Sequence, residues 1–318
     1  FLMKSILVTG GAGFIGSHTC LLLLEKGYDV FVIDSFINSS EESLKRILLI
    51  LKDNRKKDIG KLHLLKGDLK KQRDIEKVFQ LSFDLKKSIN AVLHFAGLKS
   101  VSDSIINPIN YWDNNVIGTL NLLKIMNKYN CKTIVFSSSA TIYKSQSNKL
   151  INEQDECEPI NTYGETKLTI EKLLKNIQFS QPLQWRIICL RYFNPIGADP
   201  SGLIGESPSG QVNNIFPQIT KVAIGKLDYI KIFGSDWPTS DGTGIRDYIH
   251  VTDLAEGHFS ALNYLLTGEP QFIKINLGTG IGTSVLKLIK TFEKINNKNI
   301  PYIFVDRRKG DHGIVVAD

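Results

Sequence analysis

A parallel, doubly wound α/β sheet followed by a smaller α/β lobe is the architecture the sequence predicts, on three observations. Short β-branched runs alternate with longer segments of helical period, a glycine-rich turn follows the first run, and the second run ends in a carboxylate. Strands spaced by helices are parallel strands, because each return to the same sheet edge needs a crossover. The runs 6–9, 29–33, 61–66, 91–94, 133–137 and 186–191 read as strands. Between them, 14–26, 39–54, 72–87, a long segment over 102–130, and 162–178 read as helices. After Asn194 the pattern loosens into Gly/Pro/Ser-rich loops, with a helix over 214–224, strands near Tyr229 and Ile245, and helices over 252–266 and 283–295. The expected division is therefore 1–193 for the large unit and 194–318 for the smaller lobe.

The glycine turn, Gly10-Gly-Ala-Gly13-Phe-Ile-Gly16, directly follows the apolar run Ile6-Leu7-Val8. Gly10 permits the tight turn, Gly13 lets backbone amides approach a pyrophosphate, and Gly16 lets the next helix pack on the strand with its N-terminus facing negative charge. Asp34, at the end of Val32-Ile33-Asp34, stands at the separation expected of a carboxylate that accepts hydrogen bonds from adenosine ribose hydroxyls. The same carboxylate repels a 2′-phosphate, so NAD is expected rather than NADP. Gly67-Asp68-Leu69 and His94-Phe-Ala-Gly97 also end runs at the carboxyl edge, where ligands of such sheets bind.

Tyr163 and Lys167, in Asn161-Thr-Tyr-Gly-Glu-Thr-Lys167, form the one Tyr-x-x-x-Lys match among ten tyrosines. About one such match is expected by chance, so the pair takes its meaning from Ser137-Ser-Ser139-Ala-Thr141, which brings hydroxyls to the same edge. On a helix the tyrosine and lysine share a face. A phenol working as a base at neutral pH needs its pKa lowered by about three units. A neighbouring cation supplies 1–3 of them, and an oxidised nicotinamide ring is a second cation. The expected arrangement is Tyr163 as proton-transfer base, Lys167 as its cation and Ser139 on the same substrate oxygen.

Composition narrows the class. With 318 residues, 42% hydrophobic, the chain is long enough for a large core. A net charge of +7 and a pI of about 9.0 raise nucleic acid as a partner. The lysines are scattered, however, and the densest run, 52–61, is interleaved with Asp53, Asn54, Asp58 and Gly60, which reads as a solvated surface. Cys20, Cys131, Cys157 and Cys189 contain no Cys-x-x-Cys pair and read as reduced thiols, so cytosol is the expected compartment. A first strand right after Phe1-Leu2-Met3-Lys4, with Met3 taken as the start, leaves no expected leader, and no apolar stretch predicts a membrane span. His18 reads as a packing residue, and no metal cluster is expected.

Together these residues resemble the extended short-chain dehydrogenase/reductases of Rossmann-type fold, and within them the UDP-glucose (UDP-galactose) 4-epimerases, almost from end to end. The resemblance is carried by Val8-Thr-Gly-Gly-Ala-Gly-Phe-Ile-Gly-Ser-His18, His94-Phe-Ala-Gly-Leu-Lys99, Asp113-Asn-Asn-Val116, Ser137-Ser-Ser-Ala-Thr141, Arg191-Tyr-Phe-Asn-Pro195, Asp241-Gly-Thr-Gly-Ile-Arg-Asp-Tyr-Ile-His-Val251 and Arg307-Arg-Lys-Gly-Asp311. It implies a catalytic group of Ser139 or its neighbour, Tyr163 and Lys167. It implies that Gly10, Gly13, Phe14, Ile15, Gly16, Asp34, Asn38, Asp68, Leu69, Phe95, Ala96, Lys99 and Asn114, with Tyr163 and Lys167, surround NAD. Lys99, Ser139, Tyr163, Asn194, Asn214, Arg246, Arg308 and Asp311 are then expected to hold the UDP-hexose, the arginines facing the diphosphate with bidentate geometry.

The implied reaction interconverts UDP-glucose and UDP-galactose through a 4-keto sugar, with the N-acetylated pair as a possible second substrate through the small side chain of Val315. A homodimer joined through the helices of 102–130 and 162–178 is implied as well. Two departures stand out: Lys144 follows Tyr143 where the family usually has glycine, and the family continues beyond Asp318, so a C-terminal truncation is expected. Nucleotide-sugar 4,6-dehydratases place an Asp-Glu pair where this chain has Ala140 and Thr141, so dehydration lacks its acid and base. A non-catalytic NAD-sensing module predicts a broken Tyr/Lys pair, and here the pair is intact.

Overall fold

The Ile, Leu and Val runs that open the chain are buried on both faces, as the middle strands of a parallel sheet are. In the computed structural model, which describes residues 4–53, 58–144, 149–208, 214–308 and 310–318, these runs are β1 (Ser5–Thr9) and β2 (Asp29–Asp34). With β3 (Leu62–Lys66), β4 (Ile89–His94), β5 (Thr133–Ser139) and β6 (Arg186–Tyr192) they form the expected six strands. The sheet order is β3-β2-β1-β4-β5-β6, every pair parallel, with the order reversing between β1 and β4. Such a reversal opens a crevice at the carboxyl edge, which is where Gly10, Asp34, Ala96 and Ser139 come together.

Helices cover both faces. On one side lie α1 (Phe14–Glu25) and α2 (Glu42–Asp53), on the other α3 (Gln72–Asp84), and each face has its own apolar cluster. The long helix expected over 102–130 is broken instead. It consists of α4 (Val101–Ile106), α5 (Pro108–Tyr111), a π-helical segment (Trp112–Ile117) and α6 (Gly118–Lys128). Pro108 has no N–H to continue the ladder, and Asn107 before it turns to φ −120° and ψ 56°. Following β5, a short 3₁₀ turn (Ala140–Ile142) leads toward α7 (Thr162–Ser180), whose N-cap Asn161 accepts from the Gly164 amide at 2.9 Å. The end of the expected 39–54 helix, part of the basic run and Met3 fall outside the described residues.

Beyond Asn194 the chain forms β7 (Asn194–Ile196), α8 (Ile215–Ala223), β8 (Ile230–Phe233), β9 (Ile245–His250) and α9 (Val251–Thr267). There follow β10 (Gln271–Leu277), β11 (Gly282–Ser284), α10 (Val285–Asn296), β12 (Tyr302–Val305) and β13 (Ile314–Val315). Two small sheets, β11-β9-β13 with β7 on β9, and β8 with β12, carry the second lobe. The partition at residue 194 is not a spatial one: β10 pairs with β6 as the seventh strand of the large sheet, and α9 packs on α1. Among the described residues no helix is long and apolar enough to cross a membrane, and all four cysteines are free.

Candidate active site

Glycine geometry shapes the first wall of the crevice. Gly10 adopts φ +70°, and a Cβ there would lie 2.8 Å from the Ala96 nitrogen. At Gly16 a Cβ would stand 2.3 Å from the Gly10 carbonyl oxygen, so any side chain forces the turn and α1 apart. Gly13 caps α1 without a side chain, leaving the first amides and the positive end of the helix toward the cavity. Asp34 is 6% exposed; its Oδ2 accepts from the Ala12 amide at 3.0 Å and its Oδ1 from the Phe36 amide at 2.9 Å and Ser39 Oγ at 2.8 Å. A helix terminus facing an open cavity, a glycine cradle that no Cβ fits and a carboxylate at the second strand's end are the donor and acceptor set that a dinucleotide without a 2′-phosphate requires.

The second wall carries the proton chemistry. Ser139, at the end of β5, accepts from the Thr141 amide at 3.2 Å and from Thr141 Oγ1 at 3.0 Å. Tyr163 enters on the first turn of α7, tied by its amide to Ser104 Oγ at 3.1 Å. Lys167, 4% exposed, sits one turn on, with Nζ 5.7 Å from the Tyr163 ring centre and 4.9 Å from that of Phe136. Its hydrogen bond runs to the Ser137 carbonyl at 2.7 Å, not to the phenol. Burial pushes Tyr163 up to about 12, opposed by a hydrogen bond with Ser139, and burial brings Lys167 down to about 8, opposed by Glu171. The expected lowering of the phenol takes two cations, Lys167 and an oxidised nicotinamide ring, against this burial.

All the sequence-predicted catalytic, cofactor-binding and UDP-hexose-binding residues, Val315 apart, line one cavity of about 1130 Å³. In its lining Arg246 Nη2 donates to Asp311 Oδ1 at 2.8 Å, and Arg308 stacks over the Phe233 ring at 3.9 Å, its pKa lowered by burial. Asn214, the N-cap of α8, and Lys99 both donate to Glu206 Oε1, at 2.6 and 2.9 Å. Asn114 is tied to Asn110 on its own helix by a bond of 2.8 Å to the carbonyl. Val315 is different: it pairs with Arg246 in β13 and packs beside the cluster of Ala140 and Ile142, and is not among the lining residues. Its expected place at the sugar thus finds no support in the fold. His18 is buried, as a packing residue should be, with Nδ1 2.7 Å from the Phe14 carbonyl.

The residues that sequence reasoning missed are Tyr192 and Glu206. Tyr192 ends β6 in the cavity and bonds to His258 of α9, whose Nδ1 meets the Leu254 carbonyl and must carry the proton, so the phenol donates. Glu206 lies 107 residues from Lys99, and no periodicity announces that meeting. Its Oε2 is buried without a hydrogen-bond partner among the described residues.

Residues 6–278 match the NAD dependent epimerase/dehydratase family. UDP-glucose 4-epimerase of Bacillus subtilis is 48% identical over 316 residues, which cover 99% of this chain and 88% of that protein. The crystal structure of UDP-glucose 4-epimerase from Bifidobacterium longum in complex with NAD+ and UDP superposes with a TM-score of 0.90 at 43% identity, covering 99% of this chain and 90% of that one. The UDP-Glc/GlcNAc 4-epimerase of Campylobacter jejuni superposes with a TM-score of 0.79 at 31% identity, again covering 99% of this chain and 90% of that one. With the glycine cradle and the Tyr163/Lys167 pair both inside the matched span, the chain belongs to the NAD dependent epimerase/dehydratase family.

Proposed function

We infer that this chain is a UDP-glucose 4-epimerase, an isomerase that interconverts UDP-glucose and UDP-galactose with NAD as its cofactor. The observation that carries the reading is that a single cavity is lined by the glycine cradle and Asp34, by Ser139, Tyr163 and Lys167, and by Arg246, Arg308 and Asp311, the groups that cofactor, reacting carbon and diphosphate each require. When bound, NAD supplies a hydride acceptor and donor together with an oxidised ring of positive charge.

The protein's own residues do the rest. Tyr163 takes the proton of the sugar 4-hydroxyl on its phenolic oxygen and returns it, while Ser139 hydrogen-bonds the same sugar oxygen. Lys167 is the fixed cation beside the phenol, with Nζ 5.7 Å from the ring centre, and it favours the phenolate that burial opposes. Arg246 and Arg308 hold the diphosphate, with Asp311 orienting Arg246. A firmly held nucleotide and a loosely held hexose let the 4-keto sugar turn its other face to the same hydride. Purified protein given UDP-galactose and no added NAD should form UDP-glucose; no conversion would remove the reading.

A homodimer is the assembly that the surface favours. Ile109 and Phe179 are each 83% exposed and lie on α5 and α7, where a second copy would cover them.

A further inference from the structure

One turn of α7 past Lys167, and outside the residues that line the cavity, stands Glu171. Its carboxylate is 3% exposed and closed in by three donors. Ser138 Oγ and Arg191 Nε reach Oε1 at 2.5 and 3.0 Å, and Arg191 Nη2 reaches Oε2 at 2.7 Å. Arg191, 1% exposed, gives its remaining nitrogen to Tyr143 Oη at 2.8 Å and the Glu153 carbonyl at 3.1 Å. Tyr143 in turn donates to Asn276 Oδ1 of β10 at 2.6 Å. None of these residues lines the cavity, so none is placed to touch a ligand.

A buried ion pair is a poor way to stabilise a core, since apolar residues of the same volume usually do as well or better. Here the pair lies directly behind the one buried lysine of the site. Around Lys167, β4 presents His94, kept neutral by burial and held between Thr9 and Thr119 at 2.7 and 2.8 Å. From β5 come the Ser137 carbonyl and the Phe136 ring, and α7 itself contributes Tyr163. The π-helical segment contributes only the neutral amide of Asn115 beside Gly97, and β6 places Arg191 behind the carboxylate. Among the described residues Glu171, one helical turn from Lys167 on α7, is the anion that favours its charged form against burial.

We propose that Glu171 is a positioning residue for the reaction: held rigid by Arg191 and Ser138, it supplies the fixed negative charge that keeps Lys167 cationic beneath Tyr163. This rests on the roles given above to Tyr163 and Lys167. Arg191 fixes the carboxylate so that the charge cannot swing away, and the chain through Tyr143 and Asn276 ties that arrangement to β10.

The test is the pH dependence of kcat for UDP-galactose conversion by the full chain. In the wild type, activity should fall on the alkaline side as Lys167 loses its proton. Glu171→Gln keeps the shape and removes the charge, so the alkaline limb should move down by roughly one pH unit, the lower end of what an opposite charge at this range supplies, with KM little changed. Because this leaves Arg191 unpaired, Glu171→Gln/Arg191→Met is the second variant, and its limb should move the same way. Ser138→Ala removes a hydrogen bond but no charge and should leave the limb where it is. A limb that stays put in a folded Glu171 variant overturns the proposal, as does a shift in Ser138→Ala equal to theirs. If neither charge-removing variant folds, the pair belongs to the core and the assignment falls. Absence of conversion by the wild type itself would instead remove the functional reading on which it stands.

Discussion

Lys167 gives its hydrogen bond to the Ser137 carbonyl at 2.7 Å, and so the helix cation is anchored to the end of β5 rather than to the phenol of Tyr163. Two consequences follow from that anchor. The ammonium cannot swing out to solvent, and the Tyr163 hydroxyl stays open toward Ser139 and the cavity. Burial holds this phenol above its ordinary value, and bound NAD would bring a second positive charge to oppose it.

Replacing Tyr163 with Phe keeps the ring's packing against the cavity and removes the one group that carries the proton. Turnover should fall by roughly 10²–10⁴, the range of general acid–base catalysis, while NAD stays bound. Rates with UDP-galactose, measured beside the nucleotide content of the same sample, check this; near-normal turnover would sink the assignment of the base.

The cofactor half depends on close backbone approach. Gly16→Ala places a methyl 2.3 Å from the Gly10 carbonyl, and Asp34→Ala leaves the Ala12 and Phe36 amides without their acceptor. Each unpaired buried donor costs about 1–3 kcal/mol, so both variants should lose NAD on gel filtration. Protein released by denaturation should yield NAD from the wild type, and recovery of NADP would refute the reading of Asp34.

Much of this half was legible because it is local. The turn at Gly10, the carboxylate of Asp34 and the i, i+4 pair of Tyr163 and Lys167 each declare themselves within a few residues of chain. The broken 102–130 helix was legible too in principle, through Pro108, but the apolar periodicity on either side of it masked the break. Residues that meet across the chain left no such trace. Glu206 reaches Lys99 from 107 positions away, and β10 joins the first sheet from beyond the small lobe. Val315, placed at the sugar by resemblance alone, is turned by its pairing with Arg246 toward the Ala140 cluster.

Two neutral histidines make the fold sensitive to acid. Burial holds His94 at about 3 and His258 at about 4, well below the ordinary imidazole value. An unfolded chain would bind protons at both sites as the pH drops below about 6.5 while the folded chain does not, so stability is full above that value and is lost down to about 4 through His258 and about 3 through His94. The slope should approach 1.4 kcal/mol per pH unit for each histidine within that window. Urea midpoints at pH 7 and pH 5 measure it, and His94→Asn should flatten the dependence; equal midpoints for the wild type would contradict the burial argument.

Dimer formation through the α4–α6 and α7 faces predicts that Ile109→Asp, at a position 83% exposed, leaves the fold intact and yields a monomer. Light scattering at micromolar concentration decides this. A wild type that is already monomeric there would count against the interface.

NAD held by the Gly10 cradle and Asp34 would supply a hydride acceptor and donor closed to solvent, so the C4 hydrogen of the sugar should leave and return without exchange. UDP-galactose carrying deuterium at C4, given to the purified protein with no added NAD, tests this directly. UDP-glucose that still bears the deuterium at C4 is the expected product. Product from which the label has been lost to solvent, or no UDP-glucose at all, would contradict the account.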